Sequence, residues 1–190
     1  MNRTQRARRQ QLAMNDLLTG EFAFLGLIST RRKLLVPIRD WTYQRSQGAS
    51  VRTVRCFSAI DVPHGNDAAV FRTLVHLYTE DDSAPPPWLF TVTSLRLHAM
   101  LSLLFPHVIL SDQELIESFG RLLEAEFTVR LSGRRATDEL MEYHFALLTS
   151  LEVTTQPQAG ATRLDTVTFS VAGELVHLHR TGSFSLPPGS

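Results

Sequence analysis

Between Ser111 and Leu131 the apolar period changes from helical to alternating, so the chain must pass from a helix into a strand with almost no loop between them. Leu115, Ile116, Phe119, Leu122 and Leu123 recur at the three-and-four spacing of a single helix face. Ser111 and Glu114 stand ahead of them at capping-box spacing. Phe127, Val129 and Leu131 then alternate with Thr128 and Arg130, the pattern of a half-buried strand. This predicts a helix over 112–125 and a strand over 127–131. Ser132-Gly133-Arg134-Arg135 reads as a turn. Tyr143, Phe145, Leu147, Thr149, Leu151 and Val153 share one face at period two and read as the strand that returns.

Two further helices precede this unit. Pro63, Gly65 and Asp67 mark a break, with Asp67 as N-cap, and Val70, Phe71, Leu74, Val75 and Tyr78 then repeat at helical spacing. Glu80 to Pro87, with three consecutive prolines, reads as a loop, and Trp88 to Val92 as a short strand. Thr93 or Ser94 caps a helix carrying Leu95, Ala99, Met100 and Leu103, which Pro106 ends. Upstream, residues 22–60 read as β structure with little helix. Phe22 to Ile28 is a buried strand or short packed segment, Leu34 to Tyr43 is extended, and Val51 to Phe57 pairs back as a hairpin. Near the C-terminus Val167, Phe169 and Val171 alternate.

The order helix, helix, helix, strand, turn, strand is that of a winged helix. The fold class expected is therefore α+β, a winged helix-turn-helix with a β-rich N-terminal extension. Residues 1–13 are expected as a flexible basic arm, 14–186 as one winged-helix domain, and 187–190 as a tail. In that arrangement Asp112 to Ala125 is the recognition helix and the wing runs from about Phe127 to Val153.

Several blocks, taken in order, resemble the replication initiator A family of bacterial plasmid initiators. They are Pro63-His-Gly-Asn-Asp67 with the helix after it, Leu89-Phe-Thr-Val-Thr-Ser-Leu-Arg, Glu114 to Thr128, and the strands Phe145 to Val153 and Val167 to Phe184. Phe22-Ala-Phe24 and the basic segment that follows it resemble the family's N-terminal region. Together they span roughly residues 15–186. The resemblance implies a winged-helix protein that binds double-stranded DNA at an origin or at its own operator, as a homodimer and with host replication proteins. Family initiators are often longer and carry a second winged helix, whereas this chain has room for one.

Charge tells where DNA would be held. Lys and Arg equal Asp and Glu at nineteen each, yet residues 1–60 carry eleven basic and three acidic side chains. Arg3, Arg6, Arg8 and Arg9 all precede the first acid, Asp16. Such an arm suits a phosphate backbone, or else is a solvated tail. Candidate DNA contacts are Arg6, Arg8 and Arg9, the cluster Arg31, Arg32 and Lys33, and Arg130, Arg134 and Arg135 around the wing. Gln113, Ser118 and Arg121 are the candidates on the third helix. That helix is otherwise acidic, with Asp112, Glu114, Glu117 and Glu124, which repels phosphate. Arg121 either reads a base or pairs with Glu117 or Glu124 on its own helix. If the third helix stays out of DNA, the alternative is a dimerisation or protein-interaction module with the same fold.

Catalysis has little to stand on. The ten glycines form no phosphate-cradling loop, and His177-x-His179 has no third ligand nearby, so surface histidines are the reading preferred. Neither enzyme activity, metal nor cofactor is expected. Cys56 is a lone cysteine in an apolar context, expected as a small packed residue. Trp41 and Trp88 could stack on bases but are more often packing anchors. The apolar runs are too short to cross a bilayer, which takes roughly 20 residues, and no signal peptide is read, so a cytoplasmic location without membrane contact is expected.

Overall fold

The computed structural model describes residues 39–47, 50–80, 89–132, 141–158, 161–173, 175 and 176. The expectations for the arm, Phe22 to Ile28, Arg31 to Lys33, the proline loop, Trp88, Arg134, Arg135, His177, His179 and the tail lie outside those residues. Strand β1 (Asp40–Gln47) turns back onto β2 (Ser50–Ser58) as an antiparallel hairpin. Alternation along β2 buries Val54, Cys56 and Ser58 and leaves Arg55 and Phe57 outside. Burial pushes the Cys56 thiol up to about 12, with the Asp40 charge adding to the shift, so the thiol stays protonated and inert.

The three expected helices form where the apolar spacing puts them. Helix α1 (Asp67–Thr79) follows Gly65, whose φ of 57° lies in the left-handed region that a side chain disfavours. Strand β3 (Phe90–Thr93) leads directly into α2 (Ser94–Leu104), where the Thr93 hydroxyl accepts from the Arg96 amide. Helix α3 (Asp112–Glu124) opens on a complete capping box. The Ser111 hydroxyl accepts from the Glu114 amide, and the Glu114 carboxylate accepts from the Ser111 amide. Ala125 ends α3 in extended conformation and is already the first residue of β4 (Ala125–Ser132), so the change of period near Phe127 is a helix passing straight into a strand.

The strands then divide in a way the alternation did not reveal. Tyr143 to Val153 is not one strand. It breaks at Leu147 into β5 (Met141–Ala146) and β6 (Leu148–Gln158), which belong to different sheets. β4 and β5 pair as expected, with Phe127 opposite Phe145 and their rings stacked at 5.3 Å. That hairpin does not stand alone as a wing: β4 also pairs along its length with β2, giving an antiparallel sheet of order β1-β2-β4-β5. The physical reason is β2, whose Val54 and Cys56 extend the apolar face of Phe127 across a third strand. The second sheet has the order β3-β7-β6, with β7 (Ala161–Val171) at its centre. Its long hairpin, β6–β7, runs past the core, and Thr154, Thr155, Gln156, Pro157, Thr162 and Arg163 are all exposed.

Helices and sheets share one core. α1 packs against α2 and α3, and α3 lies on β6 and β7. Tyr78, Phe90 and Phe169 meet edge-on or tilted, with centroids 5.8–6.4 Å apart, and tie α1 to the second sheet. Phe119 is fully buried at the middle of the α3 stripe. Phe119→Ala is expected to destabilise the protein by about 3–5 kcal/mol, the range for a buried phenylalanine. Chemical denaturation measures it; an unchanged midpoint would mean that α3 does not pack as described.

Candidate nucleic-acid interface

The third helix is the element on which a nucleic-acid reading turns, and three sets of polar bonds fix where it lies. Its first residue, Asp112, is a joint between three elements. One carboxylate oxygen meets His98 Nε2 of α2 at 2.7 Å and accepts from the Ser94 hydroxyl at 3.5 Å; the other accepts from the Leu164 amide of β7 at 2.8 Å. Burial pushes the Asp112 carboxyl up, but the His98 ring, the Leu164 amide and the Ser94 hydroxyl together bring it below the ordinary carboxylate range. Glu114 is also lowered, by the amide and then the hydroxyl of Ser111.

The third set corrects the reading of Arg121. Its Nε and Nη2 donate to the two carboxylate oxygens of Asp67 at 2.7 and 2.8 Å, a bidentate pair between α3 and the first turn of α1. Asp67 is buried and accepts in addition from the His64 amide at 2.8 Å. Asp67 is therefore not the N-cap. That position is Asn66, whose side chain makes no capping bond. The Asp67 carboxylate raises the affinity of the Arg121 guanidinium for its proton, against the opposing effect of burial. Within the protein Arg121 thus pairs with Asp67 of α1 and not with Glu117 or Glu124 of its own helix, as an interhelical clamp. Ser118 is corrected too. It is buried and faces the core, and its hydroxyl has no hydrogen-bond partner among the described residues.

What α3 turns outward is Gln113, Glu114, Glu117 and Glu124, with the Gln113 amide donating to Glu117 at 3.0 Å. Of the three candidates on this helix, Gln113 alone stays exposed, and it sits among carboxylates. Arg130 is exposed on β4, opposite Thr53 of β2 and Glu142 of β5. It stands on the first sheet, whereas Gln113, Ser118 and Arg121 stand on α3; the other candidate contacts lie outside the described residues. Sequence reasoning passed over the exposed hairpin β6–β7, whose end carries Thr155, Gln156, Thr162 and Arg163. Its one signal was negative: Thr154-Thr-Gln-Pro-Gln158 lacks the apolar alternation of a strand with a buried side.

No protein-family model matches the chain, and no curated protein sequence does. The fold is similar to crystal structures of domains 2 and 3 of RctB. The selenomethionine form aligns at TM-score 0.64 with 11% identity over 89% of this chain, and a second structure, of RctB residues 155–483, at 0.63 with 11% identity over 87%. The chain spans 63% and 62% of those two solved chains. Among the described residues no helix is long and apolar enough to cross a membrane, and no three His, Cys, Asp or Glu side chains gather as metal ligands.

Because Asp67 is buried, losing its cation leaves an unpaired charge in the core. Arg121→Ala is expected to cost about 2–4 kcal/mol, at the lower side of the range for broken buried pairs because the Arg121 side chain remains 19% exposed. Replacing Asp67 and Arg121 together should cost less than the sum of the two single changes, a coupling that a double-mutant cycle reads directly. By contrast Ser118→Ala removes an unsatisfied buried hydroxyl and should leave stability unchanged or raise it. A loss above about 1 kcal/mol there would show that the hydroxyl has a partner.

Proposed function

We propose that this chain is a DNA-binding protein of the replication-initiator kind, acting by binding and not by catalysis, on an origin or on its own operator. The observation that carries the reading is the initiator-like fold: β3-β7-β6 packed behind α1, α2 and α3, similar to RctB domains 2 and 3 over nearly nine-tenths of the chain. The order of sequence blocks that resembles the plasmid initiator A family supports the same reading.

In this proposal the wing is β6–β7, not β4–β5. The order α1, β3, α2, α3, β6, β7 matches helix, strand, helix, helix and hairpin of a winged helix, with the four-stranded sheet supplied by segments before α1 and between α3 and β6. DNA is held through the backbone by Arg163 and the hydroxyls and amides of the β6–β7 tip, and by the basic arm Arg6, Arg8 and Arg9 with Arg31, Arg32 and Lys33. The carboxylates on the outer side of α3 keep that helix away from phosphate, and Gln113 is its one neutral reader. Those carboxylates also favour a second reading, a protein-interaction module for host replication proteins with no DNA affinity of its own.

Mobility shift over a range of salt separates the two. Replacing Arg6, Arg8 and Arg9 with alanine, and Arg163 in a second variant, should weaken binding to origin-like and random duplexes alike. The slope of log affinity against log salt should flatten by about 0.9 for each phosphate that is no longer neutralised. Unchanged slopes in both variants, or no binding of any duplex at low salt, would leave the interaction module.

A further inference from the structure

Two large exposed hydrophobic side chains, Phe57 and Ile60, stand among carboxylates where α3 runs into β4. Phe57, 48% exposed, is the register partner of Glu126. Ile60, 46% exposed, lies against α3, its Cδ1 3.6 Å from where a Cβ on Gly120 would be. Glu117 and Glu124 stand three residues before and four after Gly120, one turn to either side on the same helix face, and both are exposed. The nearby arginines are engaged elsewhere, Arg121 with Asp67 and Arg55 with Asp40. Among the described residues Glu117, Glu124 and Glu126 have no salt bridge.

The chain upstream of β1 joins the fold at this same place. The Arg39 carbonyl accepts from the Ser58 amide at 2.9 Å, and the Arg39 guanidinium donates to the Ile60 carbonyl at 3.3 Å. Asp40, Phe57 and Glu126 are register neighbours on β1, β2 and β4. The start of β1 is therefore two strand spacings, about 10 Å, from the residues that end α3. A few positions earlier the sequence reads Arg31-Arg-Lys-Leu-Leu35. Three cations followed by two leucines complement three carboxylates around two apolar side chains.

We infer that Arg31 to Leu35 of the same chain dock on this patch, with the cations on Glu117, Glu124 and Glu126 and the leucines on Phe57 and Ile60. Reach permits it: Leu35 is four residues and Lys33 six residues before Arg39, at most about 14 and 20 Å of extended chain. A segment tethered so closely acts at an effective concentration in the millimolar range, which favours it over a basic segment of another protein. The contact covers the acidic side of α3 and forms whether or not the chain binds DNA. An arginine has five N–H donors and a lysine three, so cations held in this way keep donors for phosphate.

Limited trypsin cleavage and amide resonances of the full chain, both without DNA, test the contact. Cleavage after Arg31, Arg32 and Lys33 is expected to be several-fold slower in the wild type than in a free peptide of residues 28–38. It should approach the peptide's rate when Glu117, Glu124 and Glu126 are all replaced by Gln, and in about 1 M salt, where the screening length falls to about 3 Å. Circular dichroism should not change, because all three carboxylates are exposed. Conversely, replacing Arg31, Arg32 and Lys33 with Gln should move the amide resonances of Glu117, Gly120 and Glu124 and leave Thr155 and Arg163 in place. Wild-type cleavage as fast as that of the peptide or of the triple Gln variant at the carboxylates overturns the inference. So do α3 resonances that ignore the neutralised segment. The added peptide moving the α3 resonances of the wild type as far as those of the neutralised chain would show an open patch, and overturns it too.

Discussion

The pairing of Arg121 with buried Asp67 decides how the helices of this protein can be arranged. Removing a carboxylate from water costs several kcal/mol unless a cation and hydrogen bonds replace the lost hydration, and here two guanidinium nitrogens and the His64 amide do so. That geometry is met only if α1 and α3 hold one particular position relative to each other. Asp112 adds a second fixed point at the start of α3, joining it to α2 and to β7. Between these points the Leu115, Phe119 and Leu122 stripe is fully buried. The third helix is thus fastened at both ends, its one arginine is turned inward, and its remaining outward residues are mainly carboxylates.

Much of this is legible in the sequence, and what is not has identifiable causes. The helices and the passage from α3 into β4 follow from local periodicity, which depends only on residues a few positions apart. The capping box of Ser111 and Glu114 is likewise local. The role of Arg121 is not, because its partner lies 54 positions away and nothing in the spacing singles out Asp67 among nineteen acids. The break at Leu147 is hidden for a different reason. Both strands it separates have a buried side, so the alternation continues across the junction while the backbone changes sheets. The outer half of β6 escapes because a strand exposed on both sides needs no alternation at all.

For function the consequence is a redistribution of roles. A sequence with one arginine on its third helix invites the expectation that this residue reads DNA; the fold gives that arginine to the core. On the proposed function, nucleic acid would meet the β6–β7 tip and the basic N-terminal segments, which would hold phosphate without specifying a base. Under that proposal, sequence preference would rest on Gln113 or on DNA shape.

The central claim is that duplex DNA meets the β6–β7 hairpin and not the outward side of α3. Titrating a duplex into isotopically labelled protein and following its amide resonances tests this most directly. The account predicts that Thr155, Gln156, Thr162 and Arg163 shift on binding while Glu117 and Glu124 stay in place. Shifts centred on α3 with the hairpin unmoved would contradict it, as would a spectrum that no duplex perturbs.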